Sequence, residues 1–123
     1  MKILTLPVNK AAFDMLADPN PETRKNEEYR RICKHWARIF GSKIEWRMES
    51  YIQPDISDDE GNGYQLNQFD AVKFTKGYGH KVPSVVREWK GLTIGKPNPL
   101  WVPKGFLDLD KDYFRIQLGE AIN

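Results

Sequence analysis

The chain reads as a single α+β domain built on a curled β-sheet or partly open β-barrel, with two helices near its N-terminus. Three observations predict this. Two short stretches, residues 9–17 and 31–40, carry apolar residues at helical spacing. From Lys43 onward the apolar residues recur mainly at period two, in several short runs separated by Gly, Pro, Asn and Asp. The length, 123 residues, suits one domain with its own core, and neither an internal repeat nor a linker divides it.

A first strand is expected over Lys2–Leu6, ending near Pro7. Asn9 is suited to cap a helix over Asn9–Ala17, with Val8 and Phe13 at the spacing of a hydrophobic staple. Phe13, Leu16 and Ala17 form its apolar stripe, and Asp18-Pro19-Asn20-Pro21 ends it. Residues Lys25–Arg30 suit either a strand or the lead into the next helix. That helix is expected over Arg31–Phe40, with Ile32, Cys33, Trp36, Ile39 and Phe40 on one face and Gly41 beyond its end. Ile44, Trp46 and Met48 alternate with charged residues. Residues 53–68 read as a loop, and 43–66 as an inserted hairpin or loop within the domain. Further strands are expected over Phe69–Thr75, Ser84–Ile94 and Tyr113–Leu118, with a turn at Gly77-Tyr78-Gly79.

Composition narrows the function classes. Apolar residues make up 40% of the chain, enough for a packed core. Nineteen basic against 17 acidic residues leave a net charge of +2, so bulk charge does not mark a nucleic-acid binder. Cations do cluster locally, at Arg24, Lys25, Arg30, Arg31, Lys34, Arg38, Lys43 and Arg47. The single cysteine, Cys33, excludes an internal disulfide and is expected to be buried and inert on the second helix. The Met1–Pro7 start is too short for a signal peptide, and no window approaches a membrane span, so a cytoplasmic protein is expected. The sequence offers no Cys/His cluster for zinc and no phosphate-binding glycine motif. Asp55-x-Ser57-x-Asp59 starts like a calcium loop, but Glu60 and Leu66 stand where such a loop needs Gly and Glu. No metal or cofactor is therefore expected.

Two constellations carry chemistry. In the first, Glu28 and Arg30 share one face of an extended segment, and Lys25 reaches them from the preceding loop. Arg30 can grip a phosphate or carbonyl through its fork, Lys25 can add charge or act as a base, and Glu28 can accept from an exocyclic amine. The plain alternative is a surface salt bridge of little energetic weight. The second constellation is Lys76-Gly77-Tyr78-Gly79-His80-Lys81, where Tyr78 can stack a base and the lysines can meet phosphates. Its plain alternative is a basic hairpin turn with His80 in solvent. Trp36 falls on an apolar face, as core or as a cleft wall. Trp101 lies in a Pro-rich stretch, as a lid or as a tuck over a sheet edge.

The order of these elements resembles the ASCH (activating signal cointegrator homology) family. Lys25-Asn26-Glu27-Glu28-Tyr29-Arg30 matches the Lys-x-x-Glu-x-Arg part of its Gly-x-Lys-x-x-Glu-x-Arg motif, with Thr23 in place of the glycine. His35-Trp36 stands where small members carry a Tyr-Trp pair. Phe74-Thr75-Lys76-Gly77-Tyr78 is similar to a strand ending in Asn-Gly-Tyr, with Lys76 for the Asn. The strand Trp89–Ile94 and the closing Phe114–Gly119 fit the same pattern. The resemblance covers most of the chain outside residues 43–66. It implies a PUA-like fold and a cleft for RNA, a nucleotide or a nucleoside beside the motif. Lys25 and Glu28 would be the candidate catalytic pair, with Arg30, Tyr29, Lys76, Tyr78 and Trp36 binding the ligand. Some members hydrolyse the acetyl amide of acetylated cytidine with a Lys, a Thr and a Glu. Here Glu28 occupies the position of that Thr, and a carboxylate does not replace a hydroxyl nucleophile. Ligand binding is thus the expected function. Hydrolysis of a modified nucleoside or RNA, and a protein-interaction role, are the alternatives.

Overall fold

A computed structural model describes residues 1–41, the backbone of 43–47 and 50–55, and residues 67–122. The protein is a small α+β domain with two helices and a curled five-stranded half-barrel among the described residues. Strand β1 (Ile3–Val8) leads into helix α1 (Lys10–Leu16), and β2 (Glu27–Arg31) into α2 (Lys34–Phe40). A hairpin of β3 (Lys43–Arg47) and β4 (Ser50–Asp55) follows, then β5 (Ala71–Lys76), β6 (Ser84–Gly95) and β7 (Tyr113–Ile122). The sheet order is β1-β5-β6-β7-β2, parallel only between β1 and β5. Among the described residues the barrel does not close. β1 and β2 are its two edges, and an open seam lies between them.

Residues opposite one another in the ladder share a face, which identifies the inner surface. Leu6 pairs with Phe74, Leu92 with Ile116, and Ile94 with Phe114. These side chains form the core together with Ala12, Phe13 and Leu16 of α1 and Ala37 and Phe40 of α2. Phe40 meets Phe114 edge-on at 5.2 Å and stacks on Trp36 at 5.8 Å. The same register places Glu28 opposite Ile116 and Arg30 opposite Phe114. Two charged residues on the edge strand therefore point inward, at the seam. The curl comes from β6, where register shifts flank Trp89 and Gly91 holds a φ of 143°. That backbone region favours glycine, and such an irregularity bends and twists the strand.

Local signals set the helix boundaries. The Asn9 side chain accepts from the Ala12 amide at 2.8 Å and caps α1. Gly41, at φ 72°, closes α2 by donating to the Ala37 and Arg38 carbonyls. The second helix is shorter than the apolar spacing predicts. Arg31 instead pairs with Tyr113 as the last residue of β2, because the ladder to β7 supplies its backbone partners. Cys33 consequently sits at the N-cap of α2, extended and half-buried, rather than buried on a helical face. β7 runs on to Ile122, because the long β6 offers Val86 and Arg87 as partners for its end. Residues 53–55, expected in a loop, belong to β4. The rest of that expected acidic loop, through residue 66, lies outside the described residues. Among the described residues no helix is long and apolar enough to cross a membrane.

Candidate functional site

Where the seam opens, the inner face reaches the surface as a cleft of about 540 Å³. Pro7, Val8 and Asn9 come from the end of β1, and Glu28, Tyr29, Arg30 and Arg31 from β2. Trp36 of α2 and Tyr78 of the β5–β6 turn add aromatic walls, and Val102, Pro103, Phe106 and Leu107 come from the segment joining β6 to β7. That segment, residues 96–112, crosses the cleft as a strap and includes a short 3-10 turn, Pro99–Trp101.

Lys25, Glu28 and Arg30 form the floor. Lys25 Nζ lies 3.1 Å from Glu28 Oε1, and Arg30 Nη1 lies 3.0 Å from Glu28 Oε2. The Lys25 and Glu28 side chains are only 3% and 6% exposed, whereas Arg30 keeps 16% and is the group a ligand meets first. Glu28 Oε1 also accepts the Tyr29 amide at 3.0 Å. Arg30 donates to the Tyr29 carbonyl and reaches across the seam to the Pro7 carbonyl of β1 at 3.4 Å. Its guanidinium lies over the Trp36 ring at 5.2 Å, which fixes its plane and shields one side from water.

Burial works against the charges of Lys25 and Glu28. It pushes the Lys25 ammonium down, and the nearby Glu28 carboxylate opposes that shift. Burial alone would raise Glu28, but Lys25 and Arg30 together hold its carboxyl below the usual carboxylate value. With all three ionised the floor carries one net positive charge, in a setting where an unbalanced charge is costly.

The backbone of Lys25 is fixed from both sides although it belongs to no regular element. Its amide donates to the Met15 carbonyl, and its carbonyl accepts from Arg87. Arg87 is 1% exposed and lies on the inner face opposite Val72. Its fork also holds the carbonyls of Leu16 and Gly119 and the Asn26 side chain. Burial, with a smaller push from Arg24, brings its pKa down to about 10. Arg87 thus ties α1, the Lys25 segment and β7 together. Nothing in the sequence marks it, since one arginine in a period-two run looks like a solvent-facing residue.

The strap is held by the same segment. Lys25 Nζ donates to the Trp101 carbonyl at 2.6 Å. The Tyr29 hydroxyl donates to Glu27 Oε1 at 2.7 Å and accepts from the Asn98 amide at 2.9 Å. Burial, aided by Glu27, raises the Tyr29 pKa, so the phenol stays neutral.

Lys25, Glu28, Tyr29, Arg30, Trp36 and Tyr78 therefore share one cleft, and Tyr78 stands at its mouth with 88% of its surface exposed. Lys76 does not line it. Its ammonium sits over the Phe13 ring at 5.8 Å and 4.0 Å from Asp14. His80 is exposed, and Trp101 contributes its carbonyl. Phe106 and Leu107 also line it, and in the sequence the Pro-rich, apolar run around Trp101 is the one hint of them. Among the described residues no group of three or more His, Cys, Asp or Glu side chains is placed to hold a metal ion. No protein-family model, curated protein or solved structure matches the chain.

Proposed function

We propose that the chain is a PUA-like domain of the ASCH type that binds RNA or a nucleotide-like ligand in the seam cleft. The observation that carries this reading is the buried floor of Lys25, Glu28 and Arg30, with a net positive charge and Arg30 as its most accessible member. An anion bound at Arg30 offsets the unbalanced charge and a carbonyl accepts its free N–H groups, while Tyr78, Trp36 and Phe106 offer flat apolar surface for the ligand's body. Binding is favoured over hydrolysis because no Ser, Thr, Cys or His is among the residues described as lining the cleft. Lys25, moreover, already directs its ammonium at Glu28 and the Trp101 carbonyl.

The test is titration of nucleosides, nucleotides and short RNAs at two salt concentrations, with wild type, Arg30→Ala and Arg38→Ala. Arg38 is exposed on α2 and does not line the cleft. Loss of a charge-assisted bond at Arg30 should weaken binding by about 1.5–3 kcal/mol, roughly ten- to a hundredfold. Arg38→Ala should bind the small ligands as wild type does. If nothing binds at low salt, or if Arg30→Ala binds normally, the cleft is not a nucleotide site. The exposed Leu100 and Phe106 then favour a protein-interaction role.

A further inference from the structure

We infer that the floor of the cleft receives a group that only accepts hydrogen bonds, a phosphate or a carbonyl edge, and turns away an exocyclic amine. This deepens the nucleotide reading above and rests on it. The inference follows from what each floor group has already given away. A carboxylate offers about four lone-pair positions. Glu28 has used both sides of Oε1, on the Tyr29 amide and the Lys25 ammonium, and one side of Oε2, on Arg30. The nearby Trp101 and Pro7 carbonyls already accept from Lys25 and Arg30. Donors remain in surplus. Arg30 directs N–H groups at Glu28, Tyr29 and Pro7, and a guanidinium carries more donors than these three acceptors take. Lys25 spends its ammonium on Glu28 and Trp101 and lies over the Tyr29 ring at 4.8 Å, so the donors left for a ligand are those of Arg30.

With three of its roughly four acceptor positions filled and its side chain only 6% exposed, Glu28 is a spacer that holds two cations in place, and it does not read the ligand. A ligand presenting an amine meets donors facing a donor, and burying that clash is unfavourable. One presenting oxygens satisfies Arg30 at once. The shared chemistry is an acceptor-only group, which a phosphate or the O4 carbonyl of a uracil-like base supplies, where cytosine instead carries an amine.

The experiment titrates the full chain by NMR with uridine, cytidine, UMP, CMP and inorganic phosphate. Wild type, Arg30→Ala and Arg30→Lys are compared, and thermal melts identify any variant that is unfolded. If phosphate is the acceptor, UMP and CMP bind alike, inorganic phosphate displaces both, and the nucleosides bind at least about tenfold more weakly. If base carbonyls are the acceptor, uridine binds at least about tenfold more tightly than cytidine and phosphate displaces neither. Either result supports the acceptor-only floor. Arg30→Lys, which keeps the charge but loses the fork, should weaken binding in both cases. Cytidine binding as tightly as uridine, undisturbed by phosphate, overturns the inference and returns Glu28 to the role of reader. Phosphate binding through Arg30 with no nucleotide binding leaves the floor's chemistry standing and removes the nucleotide reading. Binding of none of the probes removes both.

Discussion

Glu28 decides whether the floor can exist at all. Its carboxylate lies between two buried or half-buried cations, and removing its charge leaves both without a counter-ion. Breaking such an arrangement by deleting one partner is far more damaging than never having built it. Glu28→Gln is expected to lower stability by about 3–5 kcal/mol at neutral pH, measured by denaturant unfolding. The pH dependence follows from the direction of its shift. The folded-state pKa lies below the ordinary value of 4.5, so the stabilisation is full above that value and is lost as pH falls through the folded pKa. Wild type should therefore lose stability steeply below about pH 4.5, while Glu28→Gln shows a shallower acid limb. Some slope persists in both, because the exposed Asp14 and Glu120 and the half-buried Asp18 are also depressed by their partners. Acid limbs of equal steepness would show that Glu28 is not held ionised by its neighbours.

Among the elements, the strap over residues 96–112 depends most on the site. Its first part is pinned at the Asn98 amide by Tyr29 and at the Trp101 carbonyl by Lys25. Tyr29→Phe removes the hydroxyl and leaves the Asn98 amide without its partner. The expected result is roughly tenfold faster hydrogen exchange at Asn98 and its neighbours, the equivalent of about one hydrogen bond. Amides of the β6–β7 ladder, such as Leu92, should exchange as before. Unchanged exchange in the strap would mean that its own turns hold it. The strap also shows what a sequence can and cannot disclose. Asn9 and Gly41 announced helix ends, because a cap is a local event within a few residues. Lys25, Glu28 and Arg30 were legible as a group, because a strand's alternation sets two of them on one face. Arg31–Cys33 were expected in the second helix because Ile32 suits its stripe, but Ile32 suits a strand end equally well, and β2 runs through Arg31. The hydrogen bond from Lys25 to Trp101 joins residues 76 apart. The four partners of Arg87 lie on α1, on β7 and in the segment before β2. No local spacing encodes such meetings; they follow from the curl of the sheet. Lys76 illustrates the opposite error. It shares the inner face with Val8 and sits beside the suggestive Gly77-Tyr78, yet Asp14 on α1 takes its charge away from the cleft.

At the scale of the whole molecule, the site and the β3–β4 hairpin belong to separate parts of the fold. The hairpin forms its own two-stranded sheet and pairs with none of the five strands that shape the seam. Its point of departure and its point of return lie together. Asn67 donates its amide to the Phe40 carbonyl at 3.0 Å and its side chain to the Ile39 carbonyl at 2.7 Å, so the chain comes back to the end of α2 it has just left. Gly41 has already closed the helix, and β5 starts shortly after Asn67 on the other side. Loop-closure entropy grows only slowly with length, so a shorter bridge between these points carries no large penalty. Replacing residues 43–66 with a short Gly/Ser linker should therefore leave a cooperative melt. The expected fall in melting temperature is no more than about 8 °C, roughly what 1 kcal/mol produces in a domain of this size. The shortened protein should keep whatever ligand affinity the full chain shows, because Lys25, Glu28 and Arg30 draw their contacts from α1, β1, β2, β6, α2 and the strap. Loss of the cooperative transition would show that the hairpin shares the core. A stable fold with lost binding would show that the hairpin reaches the cleft.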